Sequence, residues 1–225
     1  MSDSLHFASH RLQEIALVFM ATVYTTRLIW MFRFKAGKER QQKTGLPDTS
    51  KKKGIIYSLF NIAMPWAMES TRRQSLVYVQ FVIFHIGITL AILLSFLIPY
   101  SPSIIAISSV SLVFQIIIGL AFLVGLTRIV RRFTKLHMRT ISTPDDYFSL
   151  ILITVWLLSA TYAVPNNYGE GETWLLMFFY LTAFFLVYVP FSKISHYLYY
   201  PFTRYFLGKT MGHRGGYPLR GTVQK

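Results

Sequence analysis

Leu76-Val77-Tyr78-Val79-Gln80-Phe81-Val82-Ile83-Phe84-His85-Ile86-Gly87-Ile88-Thr89-Leu90-Ala91-Ile92-Leu93-Leu94-Ser95-Phe96-Leu97-Ile98-Pro99-Tyr100 holds no Asp, Glu, Lys or Arg. A helix needs about 20 mostly apolar residues to cross the hydrocarbon core of a bilayer, and this run supplies them. His85 sits within it. An imidazole inside a membrane is costly unless it faces the bundle interior with a partner, so it marks a candidate functional site.

Four further runs meet the same test. The predicted spans are Ile15–Phe34, Leu76–Tyr100, Ile104–Leu126, Phe148–Val164 and Trp174–Tyr200, the last expected to kink at Pro190. Tyr and Trp crowd their ends, as they do at headgroup level. Only 14% of the 225 residues are charged, against about 25% in soluble domains.

The net charge of +14 is unevenly placed. Of the 23 Lys and Arg, 21 fall between spans one and two, between spans three and four, or from Lys193 onward. The connections Ser101–Ser103 and Pro165–Thr173 carry none. The positive-inside rule therefore predicts an outside N-terminus and a cytoplasmic C-terminus. Basic loops beside spans meet anionic lipid headgroups or an acidic cytoplasmic partner, and their placement argues against nucleic acid. The first loop contains an apolar stretch, Gly54–Met68, too short to span and expected to lie in the membrane interface. The predicted fold is thus an all-α integral membrane bundle of five helices over residues 1–206, followed by a basic cytoplasmic tail, 207–225. Met1–His6 lacks a basic leader, so no cleaved signal peptide is expected.

No cysteine is present, which excludes disulfides, thiolate-bound iron–sulfur clusters and covalent c-type haem within this chain. A second histidine, His196, ends the fifth run. His85 lies about 14 Å along its helix from Leu76 at a rise of 1.5 Å per residue, so both fall in the cytoplasmic half. Two neutral imidazoles on different helices are a ligand pair for haem iron; singly, each also reads as a histidine bonded to a neighbouring helix. His137 and His213 sit in basic or Gly-rich segments and read as solvated. His6 and His10 precede span one, where a ligand or proton-relay role stays open.

Phe84-His85-Ile86-Gly87-Ile88, Pro190-Phe191-Ser192-Lys193-Ile194-Ser195-His196 and the basic loop Arg131-Arg132 to Asp146 resemble the membrane cytochrome b of the respiratory nitrate reductase gamma-subunit family. The resemblance covers most of the chain. It implies b-type haem between spans two and five, ligated here by His85 and His196, and electron exchange with quinones and Fe–S or cytochrome partners. This chain departs from the pattern where the family places two further histidines: Ser95 and Phe178 stand there. One haem is therefore expected, and the family's outer quinol chemistry is not carried over. The loop Met64-Pro65-Trp66-Ala67-Met68-Glu69-Ser70-Thr71-Arg72 and the tail Tyr205–Gly216 are similar to a sub-branch, the cytochrome b subunits of sulfate-reducer transmembrane complexes and heterodisulfide-reductase-like enzymes. That likeness implies a prokaryotic cytoplasmic membrane, a cytoplasmic iron–sulfur subunit, and a further membrane subunit or periplasmic multihaem cytochrome c.

Haem propionates need cations. Arg27 leads the candidates, with snorkelling as its other reading, and Arg72, Arg73, Arg128 and Lys193 follow. Thr89 and Gln115 are read either as polar contacts to a quinone or haem edge or as interhelical hydrogen bonds. A non-redox scaffold, anchor or small transporter subunit is the competing class. A transporter would show charges well inside several spans, whereas here Arg27 is the charged residue away from a span's end, with Arg33 and Lys193 near the ends of theirs.

Overall fold

The computed structural model describes residues 1–218 except 36, 38 and 68. Every regular element among them is helical. Helix α1 spans Asp3–Arg33; α2 is Lys51–Phe60, α3 Glu69–Arg73 and α4 Ser75–Tyr100. Short α5 (Pro102–Ile105) precedes α6 (Ser108–Thr134), α7 (Leu136–Thr140) and α8 (Pro144–Ala163). Then come α9 (Thr173–Tyr188) and α10 (His196–Arg214). Five helices are long and apolar enough to cross a membrane: α1, α4, α6, α8 and α9 with its 3₁₀ extension to Phe191.

Several boundaries differ from the sequence reading: the first helix begins at Asp3 rather than Ile15 and the fourth span at Pro144 rather than Phe148. The third span starts at Ser108 rather than Ile104, because Pro102 opens a separate turn and Ile107 is extended at φ −72°, ψ 111°. It then runs beyond Leu126, its basic end helical to Thr134. The fifth span was expected as one kinked helix over Trp174–Tyr200; instead α9 stops at Tyr188. Pro190 has no N–H to continue the ladder. Two 3₁₀ turns, Val189–Phe191 and Lys193–Ser195, separate α9 from α10. His196 thus begins a new helix. Residues 207–214, expected within a tail, continue that helix; 219–225 lie outside the described residues, as do Lys38 and Met68.

The chain divides into two compact units, Met1–Met31 with Gln80–Ile194, and Phe32–Val79 with Ser195–Lys225. In the first, α8 packs against both α6 and α9. Lipid tails are as apolar as leucine, so helices in a bilayer associate through close packing and internal hydrogen bonds. Small residues mark the crossings here: a Cβ on Gly125 would lie 2.6 Å from Thr154 Oγ1. Ile118, Ala121, Leu157, Ala160, Phe178 and Phe179 are fully buried. Between α8 and α9 the Trp156 indole N–H donates to Thr182 Oγ1 at 2.9 Å, and that hydroxyl donates to Phe178 O at 2.7 Å. Thr182→Val keeps the shape but strands a buried indole N–H, at a cost of about 1–3 kcal/mol. The expected outcome is a lower thermal unfolding midpoint in detergent; an unchanged midpoint would show that the bond contributes nothing.

In the second unit α2 and α10 run antiparallel. Gly54 and Ser58 of α2 face Gly208 and Gly212 of α10, and all four are buried. A Cβ on Gly208 would sit 2.7 Å from Ile55 Cα and 2.8 Å from Ser58 Cβ, so the backbones meet without side chains between them. Gly215, at φ +85°, ends α10 in the left-handed conformation that favours glycine. The following Gly216 N–H closes back on Met211 O at 2.8 Å. Glu39 bonds Arg214 at 3.1 and 3.2 Å. The Gln41 backbone N–H and then the Arg214 guanidinium hold the Glu39 carboxyl below its usual range.

Candidate functional site

His85 lies midway along α4 in the first unit, half-buried. Its Nδ1 is 2.8 Å from Phe81 O, one turn earlier. A carbonyl oxygen only accepts, so Nδ1 carries the proton and the lone pair resides on Nε2. That is the tautomer of an imidazole that binds a metal through Nε2, with its other nitrogen oriented by a backbone carbonyl. The ring is flanked by Phe81, centroids 4.1 Å apart at 45°, and by Phe84, 6.1 Å away and edge-on at 79°. One turn of α4 therefore supplies both the orienting acceptor and the aromatic wall. Behind it, Gly87 lets α4 meet Ala121 of α6 at van der Waals contact.

His196 is the first residue of α10, exposed, in the second unit. The residues before it settle where α10 can begin. Ser192 is extended at φ −104°, ψ 171°, and its hydroxyl accepts from the Ile194 N–H at 3.2 Å.

The cations proposed from sequence have definite places. Arg27 donates to Pro190 O and lies over the Phe191 ring, 5.1 Å from its centroid. The 194 N–H that would bond this carbonyl in a continuous helix bonds Ser192 instead, so Arg27 caps the broken end of α9. Snorkelling was the other reading of Arg27; capping was missed, and the Arg within one span and the Pro ending another were its signal. Lys193 is also occupied. Its Nζ bonds Thr143 Oγ1 at 2.8 Å and Asp146 Oδ2 at 3.0 Å. These are the two side chains of the capping box that opens α8 behind Pro144. Arg72 is exposed on α3, where its neighbour Arg73 pairs with Glu69 at 2.6 Å. Arg128, ranked behind Arg27, is half-buried with its guanidinium over the Phe84 ring at 4.6 Å. It is the named cation that reaches the residue next to His85.

Thr89 and Gln115 differ. Thr89 Oγ1 donates to His85 O at 2.9 Å within its own helix. Gln115 Nε2 donates to Thr161 O at 3.3 Å, an interhelical bond between α6 and α8.

Ser95 and Phe178 are buried at 2% and 0% exposure. The Ser95 carbonyl accepts from Gln13 Nε2 at 3.0 Å, and the Ser95 hydroxyl donates to Ile92 O at 2.7 Å. Phe178 stacks on Trp156, centroids 5.9 Å apart at 18°. Both positions serve packing.

No protein-family profile matches the chain, and no solved structure matches it. A curated protein of Nitratidesulfovibrio vulgaris (strain Hildenborough), described only as "Protein", is 27% identical over 180 residues, which cover 75% of this chain and 76% of that relative.

Proposed function

We propose that the protein is a haem b-carrying electron-transfer subunit of a membrane oxidoreductase complex, with His85 and His196 as the axial ligands. The observation that carries this reading is the His85 ring, whose Nδ1–H is donated to Phe81 O and whose lone pair is thereby directed through Nε2. Five apolar spans, the absence of cysteine and the resemblance of both histidine motifs to the nitrate reductase gamma-subunit family support it.

When bound, haem supplies one-electron chemistry at its iron, and two imidazole ligands leave no open position for O₂ or substrate. The chain supplies position and electrostatics. The Phe81 carbonyl fixes the plane of the His85 imidazole. Phe81 and Phe84 exclude water from one side of the ring. Arg128 and Arg72 are the cations available to propionates in this reading, with Arg27 and Lys193 offering the donors left over from the helix end and helix cap they hold. The N-terminus lies outside and the C-terminus in the cytoplasm of a prokaryotic inner membrane, and the α2 region rests in the interface. Electrons pass between the quinone pool or membrane and periplasmic cytochrome partners and a cytoplasmic iron–sulfur subunit.

The test is a reduced-minus-oxidised visible spectrum of the purified protein, expected to show a b-type signal; its absence from protein produced with ample haem sinks the reading. Pyridine haemochrome assay is expected to give one haem per chain, because Ser95 and Phe178 stand where a second pair of ligands would be. A stoichiometry of two would mean that other residues provide that pair.

A further inference from the structure

The first turns of α1 carry a cluster that electron transfer leaves unused. His6 and His10 stand four residues apart, the spacing that puts two imidazoles on one helix face and that zinc-binding helices use. Their rings are stacked, centroids 4.6 Å apart and 11° between planes. Residues Phe7–Leu12 form a π-helical segment, a rare geometry that is frequent at functional sites.

The His10 ring is oriented from behind. Ser9, 1% exposed, donates its single hydroxyl hydrogen to Leu5 O at 2.8 Å. Its 3.0 Å contact with His10 Nδ1 must therefore be donated by the imidazole. The proton sits on Nδ1 and the lone pair on Nε2. Tyr100 packs edge-on against the same ring, 5.5 Å away at 70°, and its hydroxyl donates to Glu14 at 3.0 Å.

From this geometry we propose that His6 and His10 form a two-imidazole site for a divalent first-row transition ion, Cu²⁺ or Zn²⁺. Neutral imidazole suits these ions, and Cu²⁺ binds most tightly in the series. Metal–nitrogen bonds of about 2.0–2.1 Å place two ligand nitrogens about 3.3 Å apart at a tetrahedral angle. In the stack the two ring planes are nearly parallel and their lone pairs do not converge, so His6, which is exposed, must turn out of the stack to bring its nitrogen to that spacing. Asp3, Glu14 and Glu172, which accepts from Ser2, outnumber Arg11 and the Met1 ammonium around these turns, so local charge favours a cation. A cavity of about 150 Å³ bordered by Leu5, Ser9, His10, Pro99 and Tyr168 adjoins the His10 side of the site.

The full-length protein in detergent is titrated with Cu²⁺ alone and followed by electron paramagnetic resonance. The expected result is one tightly bound Cu²⁺ with superhyperfine splitting from two imidazole nitrogens. His6→Ala and His10→Ala should each weaken binding at least tenfold and remove the two-nitrogen pattern. Ser9→Ala should weaken it about tenfold by releasing the His10 tautomer. Helical circular dichroism identifies any variant that unfolds; His6→Gln then replaces His6→Ala. A one-nitrogen spectrum in the wild type, or affinity unchanged in His6→Ala or Ser9→Ala, overturns the site. Haem content does not enter the readout, so this test and that of the electron-transfer reading fail separately.

Discussion

On the proposed electron-transfer reading, replacing His85 or His196 by alanine is expected to abolish the low-spin spectrum of a haem held by the two. A six-coordinate iron held by two imidazoles loses its spin state when either is removed. For His85 the argument rests on geometry. The 2.8 Å bond from Nδ1–H to Phe81 O fixes how the ring is turned and leaves Nε2 as the nitrogen that would bind. Alanine, a strong helix former, removes the ligand while the backbone N–H of residue 85 still bonds the Phe81 carbonyl within α4. For His196 it rests on the family resemblance and on its place at the start of α10. His137→Ala and His213→Ala, outside the proposed pair, are the controls and should leave the spectrum unchanged. An unchanged spectrum in either ligand variant would remove that histidine from the site.

The second large effect is expected from Gly208→Leu. A side chain at Gly208 meets backbone atoms, the Ile55 Cα at 2.7 Å among them, and backbone cannot swing aside as a long side chain can. Overpacking typically costs about 1–3 kcal/mol, and a contact of this kind belongs at the upper end. Lysines 51, 52 and 53 lie on or beside the α2 face that this packing holds in place. The variant should therefore be cut by trypsin in the 39–53 segment roughly a hundredfold faster than the wild type, if cleavage follows the open population. Wild-type resistance would mean that α2 and α10 tolerate separation of their backbones. Ser58→Ala, which removes a hydroxyl without adding volume, should leave the rate near that of the wild type.

Hydropathy alone located five apolar helices, because a span needs only length and the exclusion of charge, and both are properties of consecutive residues. His85 was legible for the same reason: an imidazole among twenty-four uncharged neighbours stands out in any reading of that run. Helix ends were less legible. Pro190 announced a disturbance, but whether it would kink or stop the helix depended on which groups could take over the freed carbonyls. Arg27, far away in sequence, supplies the donor, and Ser192 supplies an alternative acceptor for the Ile194 N–H. The Gly208-Lys209-Thr210-Met211-Gly212 spacing was present in a stretch read as tail. It became a packing surface only once Gly54 and Ser58 were placed against it.

The division follows from the range of each interaction. Burial in a bilayer is a one-body preference, so composition and periodicity settle which segments are apolar helices, and the sequence carries that information locally. Hydrogen-bond partners are pairwise choices between residues far apart in sequence, 163 positions in the case of Arg27 and Pro190. The capping role of Lys193, the interhelical bond of Gln115 and the placement of Arg128 over Phe84 are of that kind. So is the packing role of Ser95, whose carbonyl is taken by Gln13. Only the tertiary structure decided them, because each side chain had several chemically equivalent partners until the backbone brought one within 3 Å or so.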